Sequence, residues 1–290
     1  MASPPALEPH IFCGVPPSPS PARPDLAIRH RESGEVLLRV AAGEPIPAGS
    51  RLSYADLRGV SLAREDLRGC DLCQGDLRNA DLRAADLSSA DLSGADLTGA
   101  ALDEAGAADL RLLGVILARA SLQRARLQRL SALFATLSDA ACQGAELQRA
   151  DLRHTTCQDT DFSGADLSDG NLSFAMLRGA RLRGTSLTGA LFVSADLAGA
   201  DLRDADLTYA TFNGSNLTGA DFAGALVAKT VFVGCGSLAE ARGLPEARVR
   251  DRVSLDPETL RRCGARLPAS WLAACGVDPD VARALARPPA

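Results

Sequence analysis

Residues 80–99 have the sequence ADLRA ADLSS ADLSG ADLTG, in which one five-residue unit occurs four times in succession. The unit extends in both directions without a change of frame. Taking every fifth residue from Leu52 to Phe232 gives 37 positions, of which 27 are Leu, five are Phe and one is Val. The residue before each of these is Asp in 15 of the 37 units, and the residue two before is usually Ala or another small residue.

A period of five residues fits neither an α-helix, which repeats every 3.6 residues, nor a simple strand, which alternates every two. Fixed self-similarity of this kind predicts a solenoid. We expect the Leu and the small residue two before it to point inward, while the Asp between them and the last two residues face water. Gly is frequent at the fifth position, where a corner favours positive φ. Residues 48–244 contain no proline, as continuous strand pairing requires.

Runs such as residues 80–87 match the pattern A(D/N)LXX, and on these residues the sequence resembles the pentapeptide-repeat family. The resemblance covers about two-thirds of the chain and implies a right-handed, four-sided β-helix with four units in each coil. The fold class that we predict is therefore an all-β solenoid of about nine coils with a small helical C-terminal cap. Residues 20 apart would then stack on one side, with coils ~4.8 Å apart.

Composition divides the chain into four parts. Residues 1–24 contain eight of the 16 prolines, which predicts a disordered leader. Residues 25–49 predict a short N-terminal cap with a strand pair, and residues 50–234 form the repeat region. In residues 235–290, Asp-Pro pairs at 256 and 278 indicate helix starts and predict a small helical region. Residues 267–277 are also similar to a segment that follows such repeats in some bacterial multidomain proteins, which implies no activity here.

The composition favours an intracellular, non-membrane protein. Apolar residues make up 46% of the chain, enough for a core, and the formal net charge is only -5. This charge does not suggest direct nucleic-acid binding. The chain has neither a signal-peptide pattern nor 18 uninterrupted apolar residues, so we expect a cytoplasmic location. Its eight Cys are expected to be reduced thiols.

The residue types needed for catalysis are not grouped in the sequence. The three His occur at positions 10, 30 and 154, and the chain has no nucleotide-binding or zinc-protease motif. Cys70 falls at an inward position and Cys73 at an outward one, which argues against a shared Zn²⁺ or a disulfide. The Asp residues recur with the repeat and are interpreted as structural. We predict no catalytic, metal or cofactor site and no enzymatic activity.

Sorting the sequence by 20 residues places apolar side chains at outward positions of one side. The same sorting puts Phe192, Phe212 and Phe232 in one interior column. An exposed apolar band indicates an interface. Two alternatives stay open: an N- or C-terminal segment of the chain covers the band, or a second copy or another protein binds it. The candidate interface comprises Leu113, Leu133, Phe134, Phe174, Leu191, Val193, Val231 and Val233.

Charge is also segregated along the repeat region. The net charge is -6 for residues 50–109, +5 for residues 110–130 and -5 for residues 131–234. Arg119, Arg124 and Arg129 fall at the same outward position on three successive sides and form a candidate basic belt, either solvated or facing an acidic partner or phosphate. The candidate acidic DNA-mimic face in the first segment comprises Asp76, Asp81, Asp86, Asp91 and Asp96.

Two functions are consistent with these patterns. The first is a non-enzymatic scaffold for protein-protein interaction, with an unknown protein or a second copy as partner. The second is implied by the resemblance: a DNA mimic that binds DNA gyrase or topoisomerase IV, both type II topoisomerases, and protects them from quinolone-type inhibitors. Nine coils ~4.8 Å apart make a rod of ~45 Å. DNA of that length would carry about 26 negative charges, far more than the net charge of the whole repeat region. Residues 50–109 come closer to the charge density of DNA. They make about three coils, ~14 Å, with a net charge of -6, and DNA of that length carries about eight negative charges.

Overall fold

The computed structural model describes residues 24–286. Its first part is an antiparallel hairpin of strands β1 (Leu26–His30) and β2 (Val36–Val40). Strand β3 (Ala55–Asp56), in the first coil of the repeat region, pairs antiparallel with β1. The hairpin therefore continues the backbone pairing beyond the first coil. The predicted disordered leader lies outside the described residues, apart from Pro24.

The repeat region forms a β-helix in which residues 20 apart pair in parallel. Bridges of this spacing extend from Arg51–Asp71 to Asp206–Leu226. The backbone N–H of each core residue donates to the next coil, as Leu97 does to the carbonyl of Ile116 at 2.7 Å. Four pentapeptides therefore make one coil. In the last coils the pairing lengthens into short strands: β4 (Leu191–Val193), β5 (Thr211–Asn213), β6 (Leu226–Ala228) and β7 (Val231–Val233).

The interior consists of the Leu or Phe of each unit and the small residue two before it. All 37 positions from Leu52 to Phe232 are at most 2% exposed. Where a buried hydroxyl replaces Ala, it donates to a backbone carbonyl, as Thr160 does to Leu137 at 2.7 Å. The predicted phenylalanine column is confirmed, because the ring of Phe212 lies 4.8 Å from that of Phe192 and 5.2 Å from that of Phe232.

The Asp of each unit stabilises the corner that follows it. Its Oδ1 accepts the backbone N–H two residues later, for example from Thr98 to Asp96 at 2.9 Å. Asn171 does the same for Ser173 at 3.1 Å. This is the local bond by which Asp and Asn favour turns over regular structure. The recurrence of Asp is thus explained by backbone geometry.

The C-terminal region continues the solenoid before it becomes helical. A 3-10 helix (Leu238–Glu240) precedes β8 (Arg248–Arg250), which pairs with β6, and β9 (Ser254–Leu255), which pairs with β7. The sequence analysis predicted only helices here. It missed these strands because the spacing between paired residues grows to 21, 22 and 23, as in Asp221–Arg242, Leu226–Arg248 and Val231–Ser254.

Three short α-helices follow: α1 (Pro257–Cys263), α2 (Ala269–Ala274) and α3 (Pro279–Leu285), with a 3-10 helix (Gly264–Arg266) between the first two. Asp256 caps α1 by accepting the backbone N–H of Thr259 at 2.9 Å. Trp271 of α2 is 2% exposed and meets the ring of Phe232 edge-on at 6.2 Å. The helices thus close the end of the phenylalanine column. In the described part of the chain, no helix has the length and apolar character to cross a membrane.

Candidate interaction surface

The candidate interface residues all lie on one side of the β-helix, but they differ in exposure. Leu113, Phe134, Phe174 and Leu191 are 40–57% exposed. Leu133 and the three valines at 193, 231 and 233 are half-buried. The four exposed residues occupy four different coils, with the coil of residues 151–154 in the middle. The band is therefore interrupted twice along the axis, by that coil and by the coil of Thr211 and Asn213, which lies between the valines at 193 and 231.

An aromatic stack stands at one corner of this side. The ring of His154 lies 5.1 Å from Phe134 and 4.7 Å from Phe174, with interplanar angles of 25° and 2°. The residues below and above in the same column are Gly114 and Ser194. Because these are small, the outer ring face of each Phe has no side chain of similar size next to it. The stack is a ridge of three aromatic rings on the surface.

The backbone at these three residues has positive φ, at +60°, +57° and +60° for Phe134, His154 and Phe174. The corner favours glycine, and an L-residue with a large side chain in this conformation costs about 1–2 kcal/mol. Gly94 and Gly114 occupy the same column with similar φ. The aromatic side chains are thus placed where the fold itself would prefer glycine.

The sequence analysis missed three residues of this surface. His154 belongs to the corner column at the 20-residue spacing from both Phe, a signal that was present in the sequence. Ile116 and Met176 are 41% and 43% exposed just past the corner, at the position that Asp usually occupies on the next side. We define the apolar corner as Leu113, Ile116, Leu133, Phe134, His154, Phe174 and Met176.

The C-terminal region reaches only the far end of the apolar band. There, a cleft of about 330 Å³ is lined by Val231 and Val233 together with Leu255 and Val277. Within residues 24–286, nothing covers Phe134 or Phe174, which remain 57% and 48% exposed. Of the covering segments considered, the described C-terminal one therefore does not bury the apolar corner.

The five candidate acidic residues encircle the β-helix instead of sharing a side. Only Asp76 and Asp96 stack directly. An arginine nitrogen lies between 2.6 and 3.8 Å from each of the five carboxylates. The tightest contacts come from Asp-Leu-Arg triplets, in which the guanidinium binds the carboxylate two residues earlier with two hydrogen bonds, as in Arg78 to Asp76 at 2.8 and 2.6 Å. Each of these carboxylates thus has an arginine contact, but Arg78 serves both Asp76 and Asp96, and the segment keeps its net charge of -6.

Asp76 provides a pH-dependent test of this pairing. Its side chain is 9% exposed, and the hydrogen bonds from Arg78 hold the pKa of its carboxyl below the usual 3.8 despite the opposing effect of burial. A lowered pKa in the folded state adds stability above about pH 4, which is lost as the pH falls through the folded pKa. We expect Asp76→Asn to lower the free energy of unfolding at pH 7 by about 1 kcal/mol.

The measurement is denaturant unfolding at pH 7 and at several pH values below 4, where the two proteins should converge. Asp66→Asn is the matched control, because Asp66 forms the same bidentate contact with Arg68 but is 41% exposed. Its effect should be smaller, since solvent screens the exposed pair. An equal loss of stability in both variants would contradict the role assigned to Asp76.

The candidate basic belt is partly neutralised. Arg124 binds Glu104 at 2.8 Å and Arg129 binds Asp109 at 2.7 Å, each partner lying one coil earlier. Arg119 has no ion pair among residues 24–286. All three stand at corners with φ between +54° and +58°, on successive sides. They therefore point in different directions around one coil and do not form a single flat basic patch.

The described residues contain no group of three or more His, Cys, Asp or Glu side chains that could hold a metal ion. Cys70 is buried and Cys73 half-buried. Burial, reinforced by nearby carboxylates, raises the pKa of the Cys73 thiol to about 12, and burial raises that of Cys157 to about 12. These thiols are therefore protonated and poorly reactive near neutral pH.

Comparison with known proteins identifies the repeat. The family model for pentapeptide repeats, with eight copies, matches residues 66–103, 116–153, 133–169, 145–184 and 185–224, which together span half of the chain. No protein of curated function matches the chain.

Several solved structures are similar to the chain. HetL, a pentapeptide repeat protein involved in heterocyst differentiation regulation in the cyanobacterium Nostoc sp. strain PCC 7120, is 31% identical. The alignment covers 70% of this chain and 81% of HetL, with a TM-score of 0.35. Full-length QnrB1, a plasmid-mediated fluoroquinolone resistance protein, is 20% identical over 68% of this chain and 91% of its own, with a TM-score of 0.27. With half of its residues matched by the family model and its five-residue repeat paired coil on coil, the chain belongs to the pentapeptide repeat family.

Proposed function

We propose that this protein is a non-enzymatic scaffold that binds a partner protein at the apolar corner. The observation that carries this proposal is the exposed stack of Phe134, His154 and Phe174, flanked by Leu113, Ile116 and Met176. Large apolar side chains that are 41–57% exposed and contiguous over several coils mark interaction sites rather than ordinary surface. Aromatic residues of this kind are enriched among the residues that dominate binding energy.

The stack is costly for the isolated chain, which supports a role in binding. Positive φ is common to the corners of this fold and is also found at Arg119, Arg124, Arg129 and Tyr209, so what sets these corners apart is their exposed aromatic surface. Glycine at the same corners would satisfy the backbone without exposing apolar surface, as Gly94 and Gly114 show in this column. The aromatic rings contribute little to the core, so their value to the protein lies in a contact outside the described chain.

The proposal is tested with a variant that keeps the backbone turn at the corner but removes the two phenylalanine rings. We expect Phe134→Gly with Phe174→Gly to fold like the wild type, because glycine is unstrained at positive φ. The variant should no longer retain the partner when purified protein is used to capture proteins from extracts of the source organism. Retained proteins are compared by quantitative mass spectrometry.

Tyr209→Gly is the matched control, since Tyr209 is 53% exposed with φ at +60° but lies at another corner. A partner of the apolar corner is retained by the wild type and by this control and is lost by the double variant. Identical retention by all three proteins, or by none, would refute the proposal.

The topoisomerase-binding alternative rests on the acidic segment of residues 50–109 and on the family resemblance. It requires unpaired negative charge in a DNA-like arrangement, whereas each of the five candidate carboxylates contacts an arginine. We therefore place it second. Supercoiling by purified gyrase, with and without a fluoroquinolone, separates the two functions: the scaffold leaves the reaction unchanged, and inhibition or protection at stoichiometric amounts would favour the mimic.

The proposed scaffold is a straight rod of defined length. We take the winding to be right-handed with about nine coils, which gives a rod ~45 Å long. A rod of this kind holds the apolar corner at a fixed distance from both ends, because each coil is bonded to its neighbours along the whole length.

A further inference from the structure

The side of the β-helix next to the apolar corner has an unusual pattern in five successive coils. Each coil places two side chains at outward positions, one before and one after the buried core residue. In these coils the two residues are either of the same class or of opposite charge: Asp151 and Arg153, Asn171 and Ser173, Leu191 and Val193, Thr211 and Asn213, and Val231 and Val233. The side is therefore complementary to itself, coil by coil.

This symmetry has a geometric consequence. If a second copy lies against this side with its rod parallel, related by a two-fold axis along the rod, the first outward position of each coil meets the second outward position of the same coil. Asp151 then faces Arg153, Leu191 faces Val193, and Val231 faces Val233. An antiparallel copy centred on the coil of Asp151 would instead place equal charges opposite each other. We propose that this side binds a second copy of the chain in the parallel arrangement.

The accessible groups are suited to this contact. Leu191 is 40% exposed, and the side chains of Asp151 and Arg153 are 30% and 45% exposed. Ser173 is only 5% exposed, so this small residue leaves room for Asn171 of the second copy. Two-fold contacts of one patch with itself are the usual form of homodimers, and opposite charges across an interface set its register.

The pattern also sets the extent of the contact. It ends towards the N-terminus, where Arg111 accompanies Leu113 and Ser131 accompanies Leu133. Five coils span ~24 Å of the rod. An interface of this size is small, so we expect a dissociation constant on the order of micromolar.

The dimer would add to the proposed scaffold function, and this role of the dimer rests on that proposal. With a two-fold axis along the rod, the two stacks of Phe134, His154 and Phe174 lie at opposite edges of the contact, whereas Leu113 and Leu133 of the apolar corner lie on the contacting side itself, towards the N-terminus from the five coils. Each dimer then presents two identical docking sites in parallel. Two sites on one rigid body strengthen binding to a partner that is itself dimeric or clustered, without any new contact.

Exchanging the charges in the coil of Asp151 and Arg153 tests the arrangement. Asp151→Arg gives two Arg in this coil, and Arg153→Asp gives two Asp. In sedimentation equilibrium from about 1 to 200 µM, bracketing the expected micromolar constant, we expect the wild type to dimerise and each variant alone to associate at least tenfold more weakly. An equimolar mixture of the two variants should associate like the wild type, because Arg/Arg then faces Asp/Asp.

Both variants lose the internal Asp151–Arg153 contact equally, so recovery on mixing is not an effect of folding. The matched controls are Asp201→Arg and Arg203→Asp. These two residues form the same bidentate contact on another side of the β-helix, and the controls should leave association unchanged. A monomeric wild type over the whole range, or no recovery on mixing, overturns the dimer. The capture experiment with the glycine variants tests the apolar corner separately, so a failed dimer leaves the scaffold proposal standing.

Discussion

Replacing Phe212 with alanine is expected to lower the free energy of unfolding by about 3–5 kcal/mol. Phe212 is 0% exposed, and its ring is stacked between Phe192 and Phe232 at 4.8 and 5.2 Å. Phe222 meets it edge-on at 6.4 Å. Removing this ring leaves a cavity in the middle of the column. The rigid coils on either side, which are bonded to each other at fixed spacing, cannot collapse into it.

Phe212→Leu is the control for this prediction. Leucine occupies 27 of the 37 core positions, so the coil accommodates it, and we expect a loss of about 1 kcal/mol. Chemical denaturation followed by far-ultraviolet circular dichroism measures both variants. Equal losses for alanine and leucine would show that the stacked rings, and not the filled volume, carry the stabilisation.

The core was predictable because one rule repeats in every coil. A period of five with Leu in frame places each core residue, and a 20-residue offset places its neighbours, so the column of Phe192, Phe212 and Phe232 follows from counting alone. The same rule explains why the corner residues take positive φ even when they are not glycine. Local backbone geometry and core packing agree at nearly every unit, which is the condition for a sequence to specify one fold.

The surface was less predictable because it depends on which side chains meet. Summed charges suggested an acidic segment, but each Asp-Leu-Arg triplet closes on itself, and the sums do not show this. The pairing of Arg124 with Glu104, one coil earlier, likewise requires the stacking to be known. The aromatic stack was missed for a different reason: His154 was counted as a lone histidine and not placed in its column.

The last part of the solenoid was hidden by irregular spacing. Beyond Gly234 the backbone still pairs coil on coil, yet one to three extra residues per coil remove the five-residue period. Without that period, the strands in this region can be identified only from the strands with which they pair in the structure. This region therefore depends on specific close contacts rather than on the repeat, and one glycine shows how.

Gly243→Ala is expected to destabilise this terminal coil by about 2–4 kcal/mol. Gly243 has φ at +68°, and an added Cβ would lie 2.4 Å from the backbone nitrogen of Ala223 and 2.8 Å from its Cα. These are backbone atoms of the preceding coil, and the Ala223 N–H donates to Oδ1 of Asp221 at 3.0 Å, so they cannot move aside without breaking that hydrogen bond. Gly114→Ala is the matched control, because Gly114 has φ at +63° with nothing within 4 Å of an added Cβ.

The control should lose only about 1 kcal/mol, the cost of an L-residue at this corner. Because each coil contacts only its neighbours, the damage in Gly243→Ala should stay local. Hydrogen exchange followed by mass spectrometry should show faster exchange at β8 and β9 and in the three terminal helices, with unchanged protection in the coils before Leu191. Uniform loss of protection along the whole rod would mean that the β-helix unfolds as one unit, and that its terminal coil is as tightly coupled to the repeat as the regular coils are to each other.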